Sequence, residues 1–222
     1  MISFLTELLG EYRLIGRKLF WARKNTVTPQ NWLKGNKGDI VLIPGINEKW
    51  TFLGVTGNKL NELGWRIHYP VSHTRETINN IAEEVENYIR ANNLNNVFII
   101  AHSKGGIVAK KLLTKSIEKR IKKAILLAIP HNGSILAFLP MKGIDELKPN
   151  CETLNQINAW NDWGKIVNIY PRWDNHVIPN SSLQLEGAKN IKVNVGGHTR
   201  ILDDLRTYKL IEKEIDSRMN YD

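Results

Sequence analysis

The chain has 222 residues, 42% of them hydrophobic and 24% charged, which excludes a disordered or fibrous protein and fits one globular domain over residues 1–222. Its formal net charge of +9 favours contact with anionic surfaces, but we find no zinc-ligand spacing, RNP-like aromatic stretch or helix-turn-helix pattern, so no nucleic acid partner is expected. Cys151 is the single cysteine, which excludes an intrachain disulfide or a CxxC metal site and favours a reducing compartment.

An amphipathic helix is predicted over residues 1–24, where apolar side chains recur at helical spacing among arginines and lysines. Glu7 and Glu11 interrupt the apolar residues, so the segment is neither a secretory signal nor a membrane span, and a cytoplasmic protein is expected. Two interpretations stay open. The helix either lies on an anionic membrane surface, or it packs across the domain or over the mouth of an active site.

From residue 39 onward, short β-branched runs alternate with helical patterns, as is typical of a parallel sheet covered by helices. The six predicted strands are residues 39–43, 65–69, 97–101, 123–128, 166–170 and 191–195. The predicted helices are residues 50–63, 74–92, 103–116 and 203–217. Residues 131–165 interrupt this alternation with glycines and prolines. A structureless loop of that length is unusual in a compact domain, so we predict a short cap or lid there.

The strand at 97–101 runs into Ala101-His102-Ser103-Lys104-Gly105-Gly106 and then directly into a helix. A sharp strand-serine-helix turn needs small residues two positions before and after the serine, because a larger side chain would collide with the neighbouring backbone. This segment resembles the nucleophile elbow of the α/β-hydrolase superfamily, and within it the small lipase-like and esterase-like members whose elbow begins with alanine. The resemblance extends from about residue 39 to the carboxyl end and implies an α/β-hydrolase fold.

The resemblance also implies the chain order of a catalytic triad, which is serine, then an acid after a later strand, then a histidine after the last strand. Asp174 lies in a segment similar to the family's acid loop, Asp-x-x-Val followed by proline. His198 follows the last predicted strand in Gly196-Gly197-His198. Ser103 is therefore implied to be the nucleophile, His198 the general base and Asp174 the acid that orients it.

Two further sets of residues are implied. The oxyanion of the reaction would be bound by the backbone N–H groups of Lys104, which follows the nucleophile, and of Ile46, because Pro44-Gly45-Ile46 resembles the His-Gly-hydrophobic oxyanion loop of lipases with Pro44 in place of histidine. His131 and Asn132 follow the fourth predicted strand and, with Leu136, are predicted to line the substrate pocket. No metal or other cofactor is expected.

Together these residues predict a serine hydrolase that cleaves carboxylic esters, of lipids or other acyl compounds, through an acyl-enzyme intermediate. Acyltransferase, thioesterase and amidase activities use the same triad and stay open. An alternative from another class is a non-catalytic protein that keeps the scaffold and binds a membrane surface through residues 1–24.

Overall fold

A six-stranded, entirely parallel sheet forms the centre of the computed structural model, which describes residues 2–216. The strands lie in the order β2-β1-β3-β4-β5-β6. They are β1 (Asp39–Ile43), β2 (Arg66–His68), β3 (Val97–His102), β4 (Ile121–Leu127), β5 (Ile166–Trp173) and β6 (Lys189–Gly196). The predicted fold class, a parallel sheet flanked by helices, is confirmed.

Helices cover both faces of this sheet. They are α1 (Ile2–Lys24), α2 (Trp50–Glu62), α3 (Ile78–Ala91), α4 (Lys104–Leu113), α5 (Glu152–Asn158) and α6 (Leu205–Ile215). Met1 and Ser217, which the sequence analysis placed in the first and last helices, lie outside the described residues. Among residues 2–216, no helix combines the length and the apolar composition that crossing a bilayer would require.

Two apolar cores lie on opposite faces of the sheet because side chains alternate along each strand. In β1, Val41 and Ile43 join the core that packs against α3 and α4. Ile40 and Leu42 join the core that packs against α2 and α6. A strand covered on both faces reads as a continuous apolar run, which is why the central strands were recognisable in the sequence.

The segment at 131–165 contains two short 3-10 turns, at Ile135–Phe138 and Asp145–Leu147, followed by α5. The Lys104 ammonium is buried and donates to the carbonyl oxygens of Gly143 (2.9 Å) and Glu76 (2.5 Å). This lysine therefore ties the segment to the loop before α3, directly beside the position of Ser103.

Candidate active site

Ser103 lies at a sharp turn between β3 and α4. Its backbone adopts φ 51° and ψ −127°, a region that side-chain-bearing residues rarely occupy and that is typical of strained functional sites. A side chain at Gly105 would collide with the carbonyl oxygens of Ile43 and Pro44, and one at Gly106 would collide with Ile129. The two glycines thus let α4 begin against β1 and hold the serine at the carboxyl end of the sheet.

Asp174 and His198 form a buried pair at the same end of the sheet. Asp174 follows β5, and one of its oxygens is 2.7 Å from Nδ1 of His198. Its other oxygen accepts hydrogen bonds from the backbone N–H groups of His176 (2.7 Å) and Val177 (2.9 Å). Burial opposes the charge on Asp174, but the attraction and hydrogen bond of His198 together with these amides hold the pKa of the carboxyl below its usual value.

The His198 imidazole lies among acidic groups. Burial opposes its charged form, but the charge and hydrogen bond of Asp174, with the charges of Glu48 and Glu11, raise the pKa of His198 above its ordinary value of 6.5. Because Asp174 holds Nδ1, Nε2 is the nitrogen available to a reacting group. This arrangement fixes the tautomer that a general base requires.

Ser103 and His198 border one cavity of about 390 Å³. Its walls are largely apolar and come from α1, the loop after β1 and the segment 131–165. Among residues 2–216, the Ser103 hydroxyl makes no hydrogen bond. Contacts between a catalytic serine and histidine often tighten only when substrate binds, so the shared cavity wall is the relevant geometry here.

The loop after β1 lies against the serine. A side chain placed on Gly45 would lie 2.9 Å from the Cβ atom of Ser103, so glycine permits this approach. Ile46 borders the cavity, and within the described part of the chain neither the Ile46 nor the Lys104 backbone N–H donates to a protein acceptor. Both predicted oxyanion donors are therefore free to bind a ligand.

The sequence analysis missed a second buried acid–histidine pair beneath this loop. Glu48 accepts a hydrogen bond from the backbone N–H of Gly45 (2.6 Å) and lies 2.8 Å from Nδ1 of His102. Nε2 of His102 lies 3.0 Å from the carbonyl oxygen of His198. Burial opposes the charge on Glu48, but the charge and hydrogen bond of His102 and the Gly45 amide hold the pKa of Glu48 below its usual value.

A carbonyl oxygen only accepts hydrogen bonds, so Nε2 of His102 must carry a proton. Nδ1, on the other side of the ring, contacts Glu48. This pair connects the predicted oxyanion loop to the backbone of the base. The sequence gave no sign of this contact, because Glu48 and His102 are 54 positions apart.

Helix α1 holds the loop that carries His198. This support was not predicted from the sequence. Glu11 is fully buried and accepts hydrogen bonds from the backbone N–H groups of Thr199 (2.7 Å) and Arg200 (2.9 Å). Gly197 has φ +106°, and a side chain there would collide with the Glu11 carboxylate. The glycine before His198 is thus needed for the approach of α1 as well as for the turn.

Three residues predicted to line the pocket have different positions. Leu136 borders the cavity. His131 does not, because its ring is buried with Nε2 3.0 Å from the Asn168 side chain, and burial lowers its pKa to about 3. Asn132 is exposed and bonds to Ser182 and Asn158 outside the cavity. The predictions for His131 and Asn132 are therefore corrected, because both residues brace neighbouring loops.

His176 borders the cavity instead, its ring 4.7 Å from that of His198.

Within residues 2–216, the structure contains no group of three or more histidine, cysteine or acidic side chains placed to hold a metal ion.

Residues 67–143, which include the Ser103 turn, match the family model of the PGAP1-like alpha/beta domain. No curated protein sequence matches the chain. Among solved structures, the mature lipase BlEst2 of Bacillus licheniformis aligns with a TM-score of 0.66 at 15% identity, covering 82% of this chain and 92% of the lipase. MGS-MChE2, an alpha/beta hydrolase enzyme from a lagoon-sediment metagenome, aligns with a TM-score of 0.63 at 15% identity, covering 83% and 93%.

Lipase B of Aspergillus fumigatus aligns with a TM-score of 0.64 at 16% identity, and the alignment covers 81% of this chain and 52% of the lipase. The chain thus spans about half the length of that enzyme. At these identities the likeness shows the fold alone. This fold is the one that the Ser103 turn led us to expect.

Proposed function

We propose that this chain, which has the α/β-hydrolase fold, is a serine hydrolase that cleaves carboxylic esters of lipids or other acyl compounds. One observation carries the proposal. His198, which lies 2.7 Å from the buried Asp174, and Ser103, at its strained turn, border the same apolar cavity. We therefore take Ser103, Asp174 and His198 as the triad, with the backbone N–H groups of Ile46 and Lys104 as the oxyanion donors.

The proposed reaction begins when Nε2 of His198 takes the hydroxyl proton of Ser103 as the serine oxygen attacks the ester carbonyl. The carbonyl oxygen becomes an oxyanion, which the backbone N–H groups of Ile46 and Lys104 bind. The bond to the alcohol oxygen then breaks, and His198 gives its proton to the departing alcohol. Water, deprotonated by His198, attacks the acyl-enzyme and releases the carboxylic acid together with free Ser103.

The cavity walls support an acyl substrate. Apolar side chains line the cavity that Ser103 borders, where a hydrocarbon chain would bury apolar surface. They are Ile15, Leu19, Phe52, Leu136, Leu139, Met141, Ile144 and Leu147. An alcohol acceptor in place of water would make the enzyme an acyltransferase. A thioester or amide substrate would make it a thioesterase or amidase through the same intermediate.

A fluorophosphonate probe tests the nucleophile. We expect a covalent adduct on the wild-type protein that mass spectrometry maps to Ser103, and no adduct on Ser103→Ala. Ser116→Ala, a serine substitution at the start of a 3-10 turn far from the cavity, is the matched control and should label normally. An equal adduct on Ser103→Ala would refute the site assignment. A folded wild-type protein that forms no adduct would favour the non-catalytic alternative.

A series of p-nitrophenyl esters of increasing acyl length then tests the substrate class. The apolar walls predict that kcat/KM rises from the acetyl ester to medium-length acyl esters. A preference for acetyl esters over all longer ones would count against an acyl-chain pocket. Matched thioester and anilide substrates separate thioesterase and amidase activity from esterase activity.

A further inference from the structure

Helix α1 packs on the rest of the protein through a side that carries charged residues. Glu7, Glu11 and Lys18 point inward, whereas a helix on the surface of a globular protein normally buries its apolar side. Lys18 donates to the carbonyl oxygen of Phe52 (3.0 Å) and to Asp203 (2.8 Å). Glu7 accepts from the indole N–H of Trp173 at 2.9 Å, and Glu11 accepts from two backbone N–H groups. Polar contacts thus fix the orientation of the helix.

Five large apolar side chains of the helix face away from the protein. We call this its outer face, and it consists of Leu5, Leu9, Tyr12, Leu19 and Phe20. Every one of these side chains is exposed, Leu9 to 72%. Their spacing follows the helical period, so they form one continuous stripe. Contiguous exposed apolar stripes on soluble proteins usually mark a contact with another body.

The charge on this side of α1 has a single sign. Arg13, Arg17, Arg23 and Lys24 are exposed, and none of them forms an ion pair with another residue of the 2–216 range. Glu7 and Glu11, the acidic residues of the helix, are turned inward. The outer face therefore combines apolar side chains with four unpaired cations, which is the combination that binds an anionic bilayer surface.

The cavity opens beside the same stripe. Leu19 belongs to the outer face and also lines the cavity, to which Ile15 contributes from the next turn. On the opposite wall, Leu139 and Met141 line the cavity and are 56% and 46% exposed. Ile135 and Phe138 extend this second rim with further exposed apolar side chains. Apolar surface therefore borders the cavity mouth on both sides.

We propose that the outer face of α1 and the exposed side chains of residues 135–141 form one docking surface for an anionic lipid bilayer. The cavity mouth then faces the bilayer, and an acyl chain reaches Ser103 without crossing water. The docking rests on the orientation of α1 alone, whereas the lipid substrate rests on the proposed function. A bilayer suits this surface better than a protein does, because four cations without an acidic partner among residues 2–216 flank the stripe from its middle to its end, at positions 13, 17, 23 and 24.

Vesicle sedimentation with the Ser103→Ala protein tests docking independently of catalysis. Vesicles of phosphatidylcholine are compared with vesicles that also contain phosphatidylserine. We expect binding to the anionic vesicles and a loss of at least about tenfold in affinity for Leu9→Asp. Leu33→Asp is the matched control. Leu33 is also exposed, at 58%, but lies in the 3-10 turn that contacts β2, and the same change of charge should alter binding less than about twofold.

The outcomes separate the two proposals. Equal losses in Leu9→Asp and Leu33→Asp, or no vesicle binding by the parent, would overturn the docking surface. A parent that is a dimer by light scattering, binds no vesicles and becomes monomeric on Leu9→Asp would show that a second copy covers the stripe. Leu9→Asp in the active protein should keep its rate on a soluble short-chain ester and lose activity on a vesicle-embedded ester. Vesicle binding without any ester hydrolysis would leave docking intact and refute the proposed function.

Discussion

Replacing Glu11 with glutamine should impair His198, the proposed base, from a distance. Each carboxylate oxygen of Glu11 accepts one backbone N–H, from Thr199 at 2.7 Å and from Arg200 at 2.9 Å. Glutamine has the same shape but offers a single acceptor oxygen, and its NH₂ group would face the second N–H. The substitution therefore leaves one buried donor unpaired directly after His198, with almost no change in volume.

The expected magnitude follows from these two contacts. A hydrogen bond to a charged group contributes about 1.5–3 kcal/mol, and a buried donor without a partner costs a similar amount. We expect the free energy of unfolding to fall by about 2–4 kcal/mol. The negative charge of Glu11 also contributes to the raised pKa of His198. His198 must be neutral to act as base, so loss of this charge should move the acid limb of the kcat/KM profile to lower pH.

The assay is hydrolysis of a soluble short-chain ester across pH, with chemical denaturation alongside. We expect kcat/KM to fall by about tenfold or more at neutral pH, as is usual when a supporting contact of a catalytic group is lost. Glu7→Gln is the matched control, because Glu7 also faces inward from α1 but bonds to Arg172 and Trp173. It should lower stability without moving the acid limb. An unchanged acid limb and unchanged stability in Glu11→Gln would refute the reasoning.

Three other substitutions address separate parts of the structure. Asp174→Asn should lower kcat by about 10⁴-fold, as tautomer loss does in other triads, and steady-state kinetics would contradict this if kcat fell less than tenfold. Glu48→Gln should lower kcat by about 10 to 100-fold with KM little changed, because the contacts of Glu48 with His102 and with the Gly45 N–H are disturbed; an unaltered kcat would show that the pair is not needed. Lys110 is buried, and burial lowers its pKa to about 7 from the usual 10.5. Between pH 7 and 10.5 the lysine therefore carries a proton in the unfolded chain but not in the folded one, so the free energy of unfolding should rise with pH over this range. Denaturation curves measured at several pH values should show this rise for the wild-type protein and not for Lys110→Met.

Short-range constraints made the fold and the Ser103 turn predictable. The central strands are buried on both faces and therefore appear as apolar runs. The Ser103 turn requires glycine at 105, because any side chain there would collide with the backbone of β1. That requirement is visible within a few residues of sequence. The six strands were accordingly located to within three residues at either end.

Contacts between distant segments decided what the sequence did not predict. His131 follows β4 as expected, but Asn168 on the adjacent strand β5 binds its ring away from the cavity. Glu48 and His102 meet only because β1 and β3 are neighbours in the sheet. Hydropathy indicated that α1 is amphipathic but did not show which side faces inward. Its orientation depends on acceptors and donors more than 150 positions away, on Arg200 and Asp203.

The side of α1 that faces inward follows from the position of His198. β6 is the edge strand, so no further strand covers the chain where it turns after Gly196 towards His198. The backbone N–H groups of Thr199 and Arg200 would lack acceptors in this buried turn, and an unpaired buried donor is costly. Glu11 supplies both acceptors, which forces the acidic side of α1 inward and its apolar side outward. The same contact that orders the catalytic loop therefore creates the exposed stripe at the cavity mouth. A substitution that turned the helix to bury its apolar side would remove the support of His198, so docking and catalysis are expected to depend on one helix orientation.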